Sequence, residues 1–455
     1  MGHHRHHTKK TPEMTRQELS AQIGVVLLYG TFGLLMFGPL AFGAVEPWSI
    51  FIVEAGSVAL TLLWLAKQWI DGEVDILWNP LFLPMAAFGV LILLQVLLPI
   101  SAYRHDTISE AMLYCAYGML CFLVTQSLLR SSQARKIAIM LALYGATLAV
   151  FALLQGISSN GKLFWVRTPR MGGWIYGSYV NHNHYAGLME LLVPIPLIIA
   201  LSRMAHDKLR IVAGIAAAIM VGTIFLSGSR GGMIAVFVQL IVLAVILFRQ
   251  KRSVRIAISV GAFAVVLISL LVWLGGKDLS VRVSSISQET RTEITGGMRF
   301  SIDRDTFRMF RQRPVMGWGL GAFPVVYPRF RSFYTNFFVN EAHNDYLQLL
   351  SEMGFVGFAI MIWFQVVLFR RVRRKIANWT SNVSAAVTLA CTLGAVGILV
   401  HSLVDFNLQI PANAALYYVF CTIAAAPPLL QRSRRRKPVE TDEDDEETFP
   451  ASEVV

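Results

Sequence analysis

SGSRGGMIAVFVQLIVLAVILF, residues 227–248, decides the fold. After a short Gly/Ser turn carrying one arginine, 231–248 contains no charged residue. A run of that kind is long enough, as a helix, for a hydrocarbon core of roughly 30 Å, and too long for most buried helices of a soluble domain. Similar apolar runs lie near 23–43, 48–70, 81–100, 109–129, 136–156, 184–203, 209–227, 255–274, 346–369, 384–405 and 411–429. The chain therefore reads as an all-α, polytopic integral membrane protein of about 12 transmembrane helices. One long loop, 275–344, would hold short helices of its own. The 455 residues are 55% hydrophobic and only 15% charged, with mean hydropathy +0.55, which no soluble domain of this length needs.

The first run is too long for a signal-peptide core and reads as a retained span. Residues 1–22 form a cytoplasmic segment whose start, MGHHRHHTKK, is a tag or a basic lead. The membrane domain is 23–429, and 430–455 is a charged cytoplasmic tail. Its DEDDEE string reads as solvated. Cys115, Cys121, Cys391 and Cys421 fall in apolar runs without CxxC spacing and are expected as buried small hydrophobes.

Charge sets the orientation. With the N-terminus in the cytoplasm, the inward loops carry Arg130, Arg135 and Lys136; Arg203, Lys208 and Arg210; Arg249, Lys251, Arg252 and Arg255; and Arg370, Arg371, Arg373, Arg374 and Lys375. Only the inward loop at 71–80 is poor in Lys and Arg; one missed span would invert every later loop, so the agreement supports the count. The formal net charge of +12 is largely this signal, and nucleic acid is not an expected partner. The outward loops oppose it. Lys162, Arg167 and Arg170 lie in 157–181, and ten Lys and Arg residues, among them Arg299, Arg304, Arg308 and Arg311, lie in 275–344. Long loops translocate whatever their charge, which permits these cations; an anionic ligand accounts for them.

Within the loop, GMRFSIDRDTFRMFRQRP reads as a helix along the membrane surface. Arg304, Arg308 and Arg311 share a stripe beside Phe300, Phe307 and Phe310, and Pro314 ends it. GWGLGAF (317–323) reads as a flexible turn. Asp303-x-Asp305 matches a metal-binding DxD pattern, but residues two apart on a helix point away from each other. No metal and no cofactor is expected.

Three strings carry candidate chemistry. SGSRGG opens a helix whose free N–H groups favour anions, with Arg230 as a bidentate phosphate donor; the plainer account is a tight turn with a snorkelling arginine. NHNHYAG (181–187) starts a span, with Asn capping and His182 or His184 contacting sugar or phosphate. EAHNDYLQLL (341–350) offers His343 as a proton acceptor near neutrality, with Glu341 or Asp345 to orient it and Asn344 beside it; an interfacial capping cluster is the alternative. His401 and Asp405, one turn apart, are either support for the site or partners in a satisfied interhelical hydrogen bond.

SGSRGG, RFSIDRDTFRMFRQRPVMGWGLGAF (299–323) and EAHNDYLQLLSEMGFVG (341–357), in that order around a large outward loop, resemble the bacterial O-antigen ligase and polymerase superfamily over about 165–410. The resemblance implies a metal-independent glycosyltransferase of the inner membrane. The donor would be a glycan on undecaprenyl diphosphate and the acceptor a sugar hydroxyl, on lipid A–core or another glycan, at the periplasmic face. By position, Arg230 and Arg299 would hold the diphosphate and His343 would activate the acceptor. Arg170, His184, Asn344 and Arg304 are further substrate-contact candidates. Inversion by direct displacement is the expected route. A ligase, a polymerase and a protein O-oligosaccharyltransferase remain open; a transporter, the different class, fits poorly because mid-span charges are few and the halves look dissimilar.

Overall fold

The computed structural model describes residues 15–168, 175–250, 296–335 and 338–430. Every regular element among them is helical: α1 (Arg16–Leu40), α2 (Pro47–Asp71), α3 (Phe82–Leu97), α4 (Arg104–Ser127), α5 (Ser131–Ile157), α6 (His182–Leu192), α7 (Pro194–Leu201), α8 (Asp207–Ser227), α9 (Arg230–Arg249), α10 (Gly296–Gln312), α11 (Phe323–Val326), α12 (Asp345–Lys375), α13 (Val383–His401) and α14 (Pro411–Ala425), besides short 3-10 turns. Nine helices among these residues, with α6 and α7 taken as one, are long and apolar enough to cross a membrane. The runs expected at 81–100 and 411–429 form shorter helices, α3 of 16 residues and α14 of 15. The run at 255–274, the terminal segment 430–455 from residue 431 on, and Arg170 lie outside the described residues.

Helices that are apolar on all sides bury themselves in the centre. PIPLIIAL of α7 and VSAAVTLACTLGAVGILVH of α13 are such sequences, and α6, α7, α13 and α14 are buried along most of their length. Small residues let them approach closely; a side chain at Gly394 would meet the Leu191 carbonyl oxygen at 2.7 Å. Cys121, Cys391 and Cys421 are buried, as expected, whereas Cys115 is exposed on α4.

The helix ends segregate. At one end, the Ser131 N–H donates to Leu430 O, Arg203 N–H to Thr380 O, Gln250 to Ile376 O and Lys375 to Ala424 O. These are the ends flanked by the basic inward loops of the sequence. At the opposite end, Ala412 N–H donates to Gly43 O, Asp345 N–H to Ser402 O and Ala102 N–H to Trp318 O. We call this the site end. Arg230 and His343 both lie there.

The turn at 317–323, expected to be flexible, is fastened. α12 breaks at Gly354, whose backbone (φ +64°, ψ −167°) is open only to glycine. The groups freed by the break bond to the turn: Trp318 N–H to Ser351 O at 3.0 Å, Gly319 N–H to Glu352 O at 2.9 Å and Phe355 N–H to Pro314 O at 2.8 Å. Gln95 on α3 closes the arrangement, donating to Met316 O and Glu352 O and accepting from Leu320 N–H. The backbone groups that a break leaves orphaned in a membrane helix are thus satisfied by a loop buried in protein.

Helix α10 carries, besides the exposed arginine and phenylalanine faces expected of it, a third face that anchors it. Its anchoring face is Ile302, Asp305, Thr306 and Met309, packed toward Trp318, Phe323 and Tyr327, while Phe300 and Phe307 are exposed with the arginines.

Candidate functional site

Asp405 is the centre of the site. It follows α13, is 1% exposed, and is faced by three cationic or potentially cationic groups drawn from distant parts of the chain. His343 Nδ1 lies 3.6 Å from Oδ1, His184 Nε2 lies 3.9 Å from the same oxygen, and an Arg299 terminal nitrogen lies 3.8 Å from Oδ2. These are ion-pair distances, longer than hydrogen bonds. Oδ1 accepts the Phe406 N–H at 2.9 Å. Burial alone would push the Asp405 carboxyl up; His343, His184 and Arg299 more than offset it and hold it well below the usual carboxylate range. Asp405 is therefore a fixed anion.

Each partner is placed by its local sequence. Asn181 caps α6 by accepting from Asn183 N–H, which turns His184 inward from the first turn, where its ring meets the Phe406 ring edge-to-face at 4.6 Å. His343 packs on the same Phe406 ring at 4.8 Å. Its φ of +54° is rare for a side chain larger than glycine. The bonds on either side impose it: Ala342 N–H donates to Gln348 Oε1, and the Asn344 side chain caps α12 through Tyr346 and Leu347 N–H. Asn344 thus has a definite structural task. Arg299, near the start of α10, donates to Val404 O at 2.9 Å.

Several atoms here are buried without a hydrogen-bond partner: Asp405 Oδ2, His184 Nε2, His343 Nδ1, Arg299 Nε and Asp303 Oδ1. Such groups are few in native proteins, and five in one cluster make this the candidate place for a polar ligand.

The other candidates divide. Arg230 is exposed at the first turn of α9, after a tight turn in which Gly228 is left-handed (φ +78°) and Ser229 accepts from Gly232 N–H. Both the turn and the anion-receptive helix start are therefore present. Gly231 sits against the 401–404 turn: a side chain there would meet His401 Nε2 at 2.5 Å and a Val404 methyl at 3.0 Å. This places the Arg230 backbone beside the turn that carries Asp405. Arg304 bonds Ser332 at 2.9 Å and faces Asp305 at 3.9 Å. Glu341 accepts from Gln348, and burial pushes its carboxyl well above the usual range. Asp345 accepts from Ser402 at 2.7 Å and from Leu408 N–H at 3.1 Å. The carboxylates facing His343 are accordingly Asp405 and Asp303, where the sequence suggested Glu341 or Asp345. The DxD pair is split as helical spacing requires. Asp305 accepts from Ser332, whereas Asp303 faces His343, Asn344 and Arg299, and burial pushes it up to about 6 against their opposing pull.

His401 and Asp405 do not pair through their side chains. His401 Nδ1 bonds Glu190 Oε1 at 2.8 Å. Glu190, missed in the sequence, had one visible signal: it is the lone acid of the run 184–203.

The arrangement can do three things: grip an anion with Arg299 and Arg230, accept a proton on His343, and stabilise the resulting imidazolium with Asp405. Among the described residues no group of three or more His, Cys, Asp and Glu is placed to hold a metal ion. No curated protein matches the chain. Residues 215–362 match the family model described as O-Antigen ligase, a stretch that contains Arg230, Arg299 and His343 and ends before Asp405, so about a third of the chain is similar to that family.

Proposed function

We propose that the protein transfers a glycan from undecaprenyl diphosphate to a sugar hydroxyl at the periplasmic face of the inner membrane. Arg299 and Arg230 bind the diphosphate. As the anomeric carbon–oxygen bond breaks, charge gathers on that leaving group, and donors fixed in advance stabilise it more in the transition state than in the ground state. His343 takes the acceptor's proton while the hydroxyl oxygen bonds the anomeric carbon from the opposite face, which inverts the centre. The imidazolium so formed lies against Asp405. His184, on the same carboxylate, contributes a second imidazole for sugar or phosphate. No cofactor is needed, because the donor arrives activated.

The single observation that carries this reading is the convergence of His343, His184 and Arg299 on one buried anion, at the end of the bundle where α9 begins with Arg230. It sets a group suited to phosphate beside a group suited to a proton, in a membrane protein whose residues 215–362 match the O-Antigen ligase family model.

The test is genetic. Deleting the gene should leave lipid-linked glycan untransferred, and His343→Ala should fail to restore transfer at normal protein abundance. Finished polymer left on the lipid carrier, with unmodified lipid A–core, identifies a ligase; a single repeat on the core identifies a polymerase. Wild-type surface glycan from His343→Ala would end the proposal.

A further inference from the structure

Glu190 and His401 form a second buried pair, beside the turn that carries Asp405, that the mechanism does not use. Glu190 is 0% and His401 1% exposed, and Nδ1 and Oε1 are 2.8 Å apart. Glu190 Oε2 is buried without a hydrogen-bond partner. Carboxylates and imidazoles in a membrane interior are costly and rare, and fastening two helices requires only a hydroxyl or an amide. Gln239 already does that here, donating to Glu190 O and Leu393 O at 2.9 Å each.

What distinguishes the pair is where it sits. Glu190 belongs to α6, whose first turn presents His184. His401 ends α13, and its carbonyl accepts the N–H groups of Val404 and Asp405, so the imidazole and the Asp405 turn move together. Against the pair lie Gly231 and Gly232 of α9, directly after Arg230. An added Cβ would come within 2.5 Å of His401 Nε2 at Gly231 and within 3.1 Å of Glu190 Oε1 at Gly232. Three helices, each delivering one group to the site, thus meet on one hydrogen bond. The glycines let α9 approach it with no side chain between.

We infer that Glu190 and His401 are positioning residues that hold Arg230 in register with Asp405 and His184, so that the anion grip and the proton acceptor keep a fixed spacing. The inference rests on the proposed use of Arg230 and Asp405. Neither Glu190 nor His401 is assigned contact with substrate. The hydrogen bond is the working part, and the ring serves to reach it.

The experiment uses the full chain purified in detergent, with undecaprenyl diphosphate as the binding probe and melting temperature as an independent readout. His401→Leu, which keeps bulk and removes the donor, should weaken binding about tenfold; it also strips Glu190 of its partner and lowers the melting temperature, so the deciding comparison is with His401→Asn. His401→Asn, whose amide nitrogen occupies the place of Nδ1, should restore affinity to within about threefold. Gly231→Ala should weaken binding through its clash with the ring. Combined with His401→Asn, which removes that clash, it should bind better than Gly231→Ala alone, a non-additivity expected only of groups in contact. Wild-type affinity in His401→Leu overturns the inference. So does a loss that follows melting temperature and that His401→Asn does not rescue. Arg230→Ala separates the two levels of argument. If it too binds normally, the proposed diphosphate grip has failed; if it loses binding while His401→Leu does not, only the positioning role has failed.

Discussion

Asp405→Asn isolates what the buried carboxylate contributes. The amide keeps the size of the side chain and its acceptor for the Phe406 N–H, but removes the charge. In the proposed mechanism His343 becomes an imidazolium in the transition state, with Nδ1 3.6 Å from Oδ1. Two unit charges at that distance interact by about 4.6 kcal/mol at an effective dielectric constant of about 20. If half of the proton's charge has arrived at the transition state, the loss is about 2.3 kcal/mol, or roughly 50-fold in kcat; if all of it has, roughly 2,000-fold. Arg299 supplies the second half of the prediction. Its guanidinium, 3.8 Å from Oδ2, is partly neutralised by Asp405, so removing the charge leaves it freer for a diphosphate. The KM for the lipid-linked donor should therefore stay level or fall while kcat collapses. Steady-state transfer by the purified enzyme, with the donor varied at saturating acceptor, separates the two parameters. A variant whose kcat stays within threefold of wild type would refute the reasoning. So would one whose whole loss lies in KM, because Asp405 would then hold the donor site together and would not stabilise the imidazolium.

Arg230→Lys should lower kcat/KM for the donor by roughly tenfold or more, since an ammonium cannot make the paired contact of a guanidinium; equal kinetics would assign Arg230 to the turn alone. Asp303, pushed up to about 6 by burial, binds its proton more tightly folded than unfolded. Stability conferred by that proton is thus full below about pH 4 and lost as pH rises to about 6. Thermal melts of Asp303→Asn should lack that decline, and parallel wild-type and variant curves would count against it. Gly354→Ala should cost about 1–3 kcal/mol from its backbone conformation alone. The added Cβ would also press on the Val315 carbonyl oxygen and lie 2.6 Å from Met316 N. Its melting temperature should fall by several degrees, and an unchanged melt would mean that the 314–319 turn is not held on the broken helix.

The site was partly legible before folding. Arg230 and His343 stood out because charged groups at the edges of apolar runs demand an explanation, whereas Arg299 was one of ten cations of the outward loop and took its role only from the ordered resemblance. Asp405 was visible only beside His401, one turn away, as support for the site or as part of an interhelical hydrogen bond; His401 does make such a bond, but the spacing names no partner for it. His401 reaches Glu190, 211 residues earlier, and Asp405 reaches His184, His343 and Arg299, which share no local pattern with it. Glu341 and Asp345 were the natural carboxylates to credit beside His343, being two residues away. A left-handed φ at His343 and the start of α12 at Asp345 carry both toward other partners.

The glycines show the same division. Gly317, Gly319 and Gly321 read as a flexible turn, because glycine spacing reports conformational freedom and says nothing of what consumes it. Gly354 lies 33 residues after Gly321 in an apolar run, and only the folded chain brings its helix break against that turn.

Composition and the spacing of apolar runs, with basic residues on alternate loops, settled without a fold that this is a helical membrane protein and which helix ends lie together. Those features are local or periodic and depend on transfer from water to hydrocarbon, which each residue contributes almost independently. Which carboxylate faces which imidazole depends on the crossing of α6, α9, α10, α12 and α13, a collective result of packing. That choice is absent from any one segment, and only the tertiary structure makes it.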